Sequence, residues 1–270
     1  MANKKIGTCL LTGKTDKLVK CHILPQAFTR PAINGEPLLQ STKGEGHRRR
    51  WTSWYDASLV TRAGEDILSA IDDVAIKELR RAKLVWSGWG IVPPVFEPIG
   101  PYLPDHGLRT VKKINQEAIW RFFWSIAWRA SVSQIADMKY FQLPEEVEVM
   151  ARDAILKQRT SCLELPVSLI QLSTKGEAHN HSPIIDTKLQ PSSDGKNEKQ
   201  VPFARIYVDG LVAHLEFSPI SKTHDGDLSI WLGDRPNIAV STISYEASFH
   251  YQNMLNIAYE SYFGPLSEPA

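Results

Sequence analysis

Short apolar runs alternate with turn residues over the first part of the chain, and this pattern predicts a β-hairpin over residues 6–24. The runs are "IGTCLL" and "LVKCHIL", and the intervening "TGKTDK" places Gly13 in the turn. From Ala63 to Leu84 the apolar spacing changes to three and four residues, which is typical of a helix with one buried face. The apolar residues with this spacing are Ile67, Leu68, Ile71, Val74, Ala75 and Leu79.

A stretch rich in proline and glycine, "GWGIVPPVFEPIGPYLPDHG" (88–107), cannot be helical and is expected to link two units. Beyond it, the apolar run "NQEAIWRFFWSIAWRASVSQIA" (115–136) predicts a helix. Because Arg121 and Arg129 interrupt this run, we expect a buried core helix rather than a membrane span. Arg129 is expected to form an ion pair at the edge of the core, with an acidic partner that the sequence leaves open. "LPEEVEVMARDAILKQ" (143–158) predicts a further helix, with acids in its first turn.

The last part of the chain divides into a polar segment, three short strands and a helix. Residues 173–200 are rich in Gly, Ser, Asn and Lys and predict a mobile loop, within which His179 and His181 are expected to be solvated rather than a metal pair. The runs "FARIYVDG", "LVAHLEFSPI" and "LSIWLGD" predict a small antiparallel sheet, and "SYEASFHYQNMLNIAYESYF" predicts a final helix.

Together these elements predict an α+β fold. Its expected units are an N-terminal unit (1–87) and a helical and β-sheet accessory domain (113–270), joined by a linker (88–112).

Composition narrows the class of protein. Hydrophobic residues make up 43% and charged residues 23% of the 270, as in ordinary folded proteins. No apolar run reaches the roughly 20 residues of a membrane span, and the sparse cysteines argue against a disulfide framework. We therefore expect a cytoplasmic protein that does not enter membranes. Residues 1–50 carry ten Lys/Arg and three acids, a net charge of +7 that favours a polyanionic partner.

Gly13-Lys14-Thr15 resembles the end of a phosphate-binding loop, but its spacing from the preceding glycine argues against one. Such a loop needs a first glycine, four residues and then Gly-Lys-Ser/Thr, because its backbone N–H groups must wrap one phosphate. Here five residues separate Gly7 from Gly13, and Pro25 leaves no room for the helix that must follow. We interpret the segment as a hairpin turn.

Three separated blocks carry a more specific pattern. They are "CHILPQAF" (21–28), "WYDASLVTRAGEDIL" (54–68) and "FFWSIAWRASVS" (122–133). The blocks resemble a group of bacterial HNH endonuclease-like proteins, whose pattern is Cys-x-x-Cys, then Ser-His-Ile-Ile-Pro, then Tyr-Asp followed by Leu-Cys-x-x-Cys and an acid. The resemblance spans roughly residues 6–160 and implies an N-terminal ββα-metal (His-Me finger-like) unit.

The resemblance also implies a set of site residues. His22 takes the place of the general base, and Asp56 falls where an acid or amide would orient it. Glu65 takes the place of the helix residue that binds a catalytic Mg²⁺ or Mn²⁺ ion. Cys21 stands where many relatives have a metal-binding Asp, and a thiol is a poor ligand for a hard cation. The resemblance therefore implies a catalytic centre with few good metal ligands.

The zinc-binding positions of the group are largely lost from this chain. The four positions correspond to Cys9, Thr12, Thr61 and Gly64. One thiolate cannot supply the four ligands of a structural zinc, so no structural zinc is expected. Packing is then expected to hold hairpin and helix together, through Leu10, Leu18, Ile23, Leu59 and Ile67.

Two functions follow from the resemblance. The first is a metal-dependent DNA endonuclease, with phosphate contacts from Arg48, Arg49 and Arg50 in the basic loop between the two halves of the site. The second is a degenerate, non-catalytic module that binds nucleic acid or a protein partner, the latter through residues 160–270. A bacterial defence or mobile-element setting is an analogy with the group alone.

Overall fold

The computed structural model of the chain describes residues 5–29, 38–42, 46–50, 53–158, 160–191, 198–221 and 226–263. Its α+β architecture confirms the predicted class. The strands are β1 (Ile6–Thr8), β2 (Thr15–His22), β3 (Leu38–Thr42), β4 (Gly46–Arg50), β5 (Tyr55–Thr61), β6 (His106–Val111), β7 (Val167–Leu172), β8 (His179–His181), β9 (Ile184–Pro191), β10 (Glu198–Val208), β11 (Leu211–Glu216), β12 (Leu228–Ser229) and β13 (Asn237–Ile243). The helices are α1 (Arg62–Arg81), α2 (Gln116–Val132), α3 (Glu145–Ile155) and α4 (Phe249–Phe263), with short 3₁₀ turns at Gln26–Phe28, Trp86–Gly88 and Ala136–Met138.

The N-terminal hairpin and the helix after it form as the sequence predicts. β1 and β2 pair antiparallel, and Gly13 has a positive φ of 72° in the turn between them, a conformation that favours glycine. β5 joins the other side of β2, and α1 begins directly after β5. Two details of the predicted packing are wrong, because Val74 is 46% exposed and Leu10 is 44% exposed. Leu11, the neighbour of Leu10, is buried instead.

α2 is the core helix, buried on nearly every side because α1, α3 and strands of the large sheet all pack on it. The indole N–H groups of Trp120 and Trp124 both donate to the carbonyl of Leu165, so these large rings bury no unpaired donor. One buried apolar cluster runs through the N-terminal unit, α2 and the large sheet, with Leu59, Phe123 and Leu215 among its members.

The C-terminal sheet is larger than predicted, and it is mixed rather than antiparallel. Its order is β12-β13-β7-β11-β10-β9, with β6 paired to β13. β13 runs parallel to β7 and β12 and antiparallel to β6. The end of the expected linker is therefore a strand, because β6 finds its partner far along the chain. The predicted final helix is confirmed as α4.

The predicted loop over residues 173–200 is wrong for much of its length, because β8, β9 and the start of β10 lie within it. β8 pairs parallel with β3, and β4 forms the other side of β3. His179 and His181 are therefore buried, where solvated side chains were expected. Among the described residues, no helix is long and apolar enough to cross a membrane.

Candidate functional site

The residues predicted from the three sequence blocks lie where β2, β5, α1 and α2 meet. In the pairing of β2 with β5, Cys21 lies opposite Asp56, and His22 lies opposite Tyr55. Because opposite residues share a face of a sheet and neighbours alternate, Cys21 and Asp56 lie on the inner face. Both are buried, whereas Tyr55 on the other face is 45% exposed. The strand geometry thus separates His22 from Asp56.

The four positions that the resemblance matches to zinc ligands lie together. The Cys9 thiol accepts a hydrogen bond from the Thr12 backbone N–H at 3.4 Å, and it also bonds Thr61. A Cβ atom at Gly64 would lie 2.7 Å from Cys9 Sγ. Burial raises the pKa of Cys9, but hydrogen bonds from Thr12 and Thr61 outweigh it, and the net pKa is lowered. One thiol and two hydroxyls do not make a zinc site.

A buried arginine occupies the centre of the predicted catalytic region. The Arg129 guanidinium, 2% exposed, bonds both carboxylate oxygens of Asp72 at 2.8 and 3.0 Å. It also donates to the backbone carbonyl of His22 at 2.8 Å and to the carbonyl of Ser125 at 3.1 Å. Sequence reasoning expected an ion pair here but placed it at the edge of the core. The acidic partner, Asp72, comes from the facing helix α1.

Cys21 and Glu65 interact with each other beside this arginine. Burial raises the pKa of the Cys21 thiol strongly, and the neighbouring Glu65 carboxylate raises it further, although Arg129 opposes both. The thiol therefore keeps its proton, and it lies 3.9 Å from the His22 carbonyl oxygen as a donor. Burial likewise raises the pKa of Glu65, against the lowering effects of Cys21 and Arg129.

His22 and Glu65 each carry one buried atom without a hydrogen-bond partner. These atoms are Nε2 of His22 and Oε2 of Glu65. Burial lowers the pKa of His22, and the charges of Lys20 and Arg129 lower it further. A neutral imidazole is the form that a general base requires.

Asp56 has a different role from the predicted one. Its carboxylate accepts from the hydroxyl and the backbone N–H of Ser58 at 2.5 and 2.8 Å, from the Ser133 hydroxyl at 2.8 Å and from the Gln134 N–H at 3.2 Å. Burial raises the pKa of Asp56, yet these hydrogen bonds together lower it below its usual range. The His22 ring is not among the described donors to the Asp56 carboxylate. Asp56 thus ties β5 to the end of α2.

Replacing Asp56 by asparagine is therefore expected to lower the free energy of unfolding by about 1.5–3 kcal/mol, since a buried acceptor of four donors loses its charge. Urea unfolding followed by tryptophan fluorescence measures this. Asp16→Asn, on the exposed part of β2, is the matched control and should change stability little. An Asp56→Asn variant as stable as this control would contradict the structural role.

The centre does not fit a hard divalent cation. Burial keeps Cys21 protonated, and the positive charge that acts on Glu65 is supplied by Arg129. Mg²⁺ and Mn²⁺ prefer several oxygen ligands at once. No group of three or more His, Cys, Asp or Glu with the geometry of a metal site occurs in the part of the chain that the structure describes.

The predicted phosphate-binding residues Arg48, Arg49 and Arg50 are the last three residues of β4, which lies at one edge of its sheet. Their side chains lie outside the described part of the structure. On the exposed face of the neighbouring sheet, the Lys20 ammonium lies 3.7 Å from the centre of the Tyr55 ring.

A second polar cluster escaped the sequence analysis. His179 donates from Nδ1 to the carbonyl of Glu177 at 2.8 Å, and its Nε2 lies 3.1 Å from Nδ1 of His250 on α4. Tyr207 stacks on the His179 ring with a centroid distance of 4.6 Å. Burial lowers the pKa of His179 to about 4 and that of His250 well below its usual value. No sequence signal links these residues, because strand and helix pairing alone bring them together.

Comparison of the chain with protein-family models, with curated proteins and with solved structures finds no match.

Proposed function

We propose that the chain is an HNH-like nucleic-acid-binding module that does not cut its ligand. The observation that carries this proposal is the buried Arg129–Asp72 ion pair, because the Arg129 charge acts on Glu65, the residue that the resemblance assigns to a catalytic cation. A fixed organic cation neutralises the local carboxylates but has no open coordination position. It therefore cannot bind and polarise a scissile phosphate as a metal ion does.

Two features support the HNH-like origin of the unit. β2 and β5 form an antiparallel pair, and α1 follows β5 without a break, which gives the order expected for a ββα unit. The positions of the lost zinc ligands also lie together around Cys9, at the base of β5 and α1. Hydrogen bonds and packing now connect these segments, in place of a metal.

Charge supports nucleic acid as the ligand. The +7 net charge of residues 1–50 includes three consecutive arginines on the edge strand β4. The guanidinium group of arginine matches phosphate groups, which dominate the affinity of proteins for nucleic acids. The exposed Tyr55 ring with Lys20 beside it offers a further contact of the same chemistry.

Replacing Arg48, Arg49 and Arg50 by alanine is expected to weaken DNA binding and to make it less sensitive to salt. Each lost phosphate contact should reduce the slope of log K against log salt by about 0.9 for duplex DNA. Fluorescence anisotropy over a salt series measures both quantities. The control removes three exposed cations outside β4, by Arg62→Ala, Lys77→Ala and Lys112→Ala. An unchanged salt slope in the β4 variant would show that β4 does not contact the nucleic acid.

The unpaired Nε2 of His22 favours a second candidate, the endonuclease, because a general base needs a ring nitrogen that no other group occupies. A plasmid assay with Mg²⁺ or Mn²⁺ separates the two functions. We expect no cleavage; cleavage by the purified protein that disappears in His22→Ala would overturn the non-catalytic proposal.

A further inference from the structure

A cavity of about 290 Å³ lies apart from the centre described above, where four segments of the chain meet. Its walls come from the 3₁₀ turns at Gln26–Phe28 and Trp86–Gly88, from the segment before β8, and from the end of β10. This volume lies just below the usual range for small-ligand sites, which limits an occupant to a small molecule or a single base.

The walls of the cavity are aromatic and fixed in place. Tyr207 and His179 lie stacked at its base, and both nitrogens of His179 are engaged, by the Glu177 carbonyl and by His250. His179 therefore offers no free proton acceptor to the cavity. Phe28 and Trp86 complete the apolar lining. A rigid, aromatic lining favours a small planar ligand, because no side chain has to be ordered when the ligand binds.

One side of the cavity carries a carboxylate with unused acceptor capacity. Asp209 has a positive φ of 49°, and two bonds hold it there: the Trp86 N–H donates to its carbonyl, and the Ser87 N–H donates to Oδ2, both at 2.9 Å. A carboxylate has about four acceptor positions. Burial raises the pKa of Asp209, although Ser87 and the charges of Arg80 and Lys175 oppose this. The Asp209 carboxylate is thus shielded from water, and only part of its acceptor positions is occupied.

Trp86 forms a closed apolar wall of the cavity. It is 8% exposed, and the nitrogen side of its indole ring packs against Gly210, where an added Cβ would lie 2.4 Å from Nε1. At the mouth of the cavity, the exposed Lys175 adds a positive charge.

We propose that this cavity binds a guanine base, with Asp209 accepting from the base and Lys175 facing its phosphate. The two oxygens of a carboxylate match two adjacent N–H donors. Guanine offers such a pair at N1 and N2, whereas adenine and cytosine pair one amino donor with a ring acceptor that a carboxylate repels. The same base can come from a free nucleotide or from an unstacked position in a strand.

Calorimetric titration of the full chain with GMP, AMP and XMP tests the proposal. We expect GMP to bind about tenfold to 100-fold more tightly than AMP, the discrimination of one bidentate contact. Asp209→Asn should lose this preference and gain affinity for XMP. The asparagine amide then donates to the 2-oxo group of xanthine, which replaces the 2-amino group of guanine. Asparagine tolerates a positive φ and can still accept from Ser87, so this variant should fold.

Asp16→Asn makes the same chemical change on an exposed strand and should keep the preference for GMP. A thymine-only oligonucleotide and the same strand with one guanine identify the source: binding of GMP alone supports a free nucleotide, and guanine-dependent strand binding supports an unstacked base. Equal affinity for GMP and AMP, no binding of GMP or of the guanine strand at millimolar concentration, or an unchanged preference in Asp209→Asn would each overturn the proposal.

Discussion

Replacing Arg129 by methionine is expected to lower the free energy of unfolding by about 3–5 kcal/mol, more than any other single change considered for this protein. The variant removes the partner of Asp72, whose side chain is only 14% exposed, and leaves its charge buried without compensation. It also removes the donors that hold the His22 and Ser125 carbonyls. Methionine preserves much of the apolar volume, so the loss reports on the charge and the hydrogen bonds.

The surface pair Arg81–Glu78 provides the matched control, because the Arg81 side chain is 54% exposed at a similar nitrogen–oxygen distance of 2.7 Å. Arg81→Met should cost no more than about 1 kcal/mol. The double variant Arg129→Met, Asp72→Leu should recover part of the lost stability, since it removes both buried charges. If Arg129→Met is as mild as Arg81→Met in urea unfolding, the ion pair does not organise the centre, and the proposed function loses the observation that carries it.

Acidification from pH 7.5 to pH 5 is expected to lower the free energy of unfolding by about 2 kcal/mol through His179 alone. Its pKa is about 4 in the folded protein because burial disfavours the charged ring, against an ordinary value of 6.5. The unfolded chain therefore binds more protons than the folded one between these values. The contribution of His179 is complete above pH 6.5 and is lost as the pH falls towards 4. His250 shifts in the same direction and adds to the loss.

The variant His179→Phe, His250→Phe should flatten this pH dependence while it keeps ring packing on Tyr207. Part of the slope should persist, because burial and the charge of Arg205 also lower the pKa of His214 to about 4. Urea unfolding at pH 7.5, 6 and 5 measures the slope for both proteins. A wild-type protein with the same stability at pH 7.5 and pH 5 would show that the histidine pair does not remain neutral in the fold.

The elements with strong local signals could be predicted from the sequence. The apolar spacing around Leu68 and Leu79 gives α1, the turn at Gly13 gives the first hairpin, and the aromatic run before Arg129 gives the core helix. In each case the residues that determine the element lie next to one another in the chain. The ββα interpretation of these elements rests on the resemblance and stays a prediction.

The features that escaped prediction depend on distant partners. His179 has polar neighbours and looks solvated, yet it is buried because β8 pairs with β3 and α4 brings His250 to it. Arg129 could be recognised as an ion-pair residue, but only the packing of α2 on α1 selects Asp72. The sequence predicts that Asp56 orients His22, but its carboxylate instead accepts a hydrogen bond from Ser133 at the end of α2. None of these contacts leaves a periodic signal.

The pairing of β6 with β13 has a consequence for the order of folding. β6 ends at Val111, and its partner begins only at Asn237, so the ribosome completes α2 and its aromatic residues long before this edge of the sheet can close. Such non-local closure is slow, and this edge of the sheet stays unpaired until it happens. The core helix α2 packs mainly on α1, α3, β10 and β11, so its burial can precede this step. The arrival of β13 from the ribosome therefore sets the time at which the β6 edge, rather than the core helix, is protected from pairing with other chains.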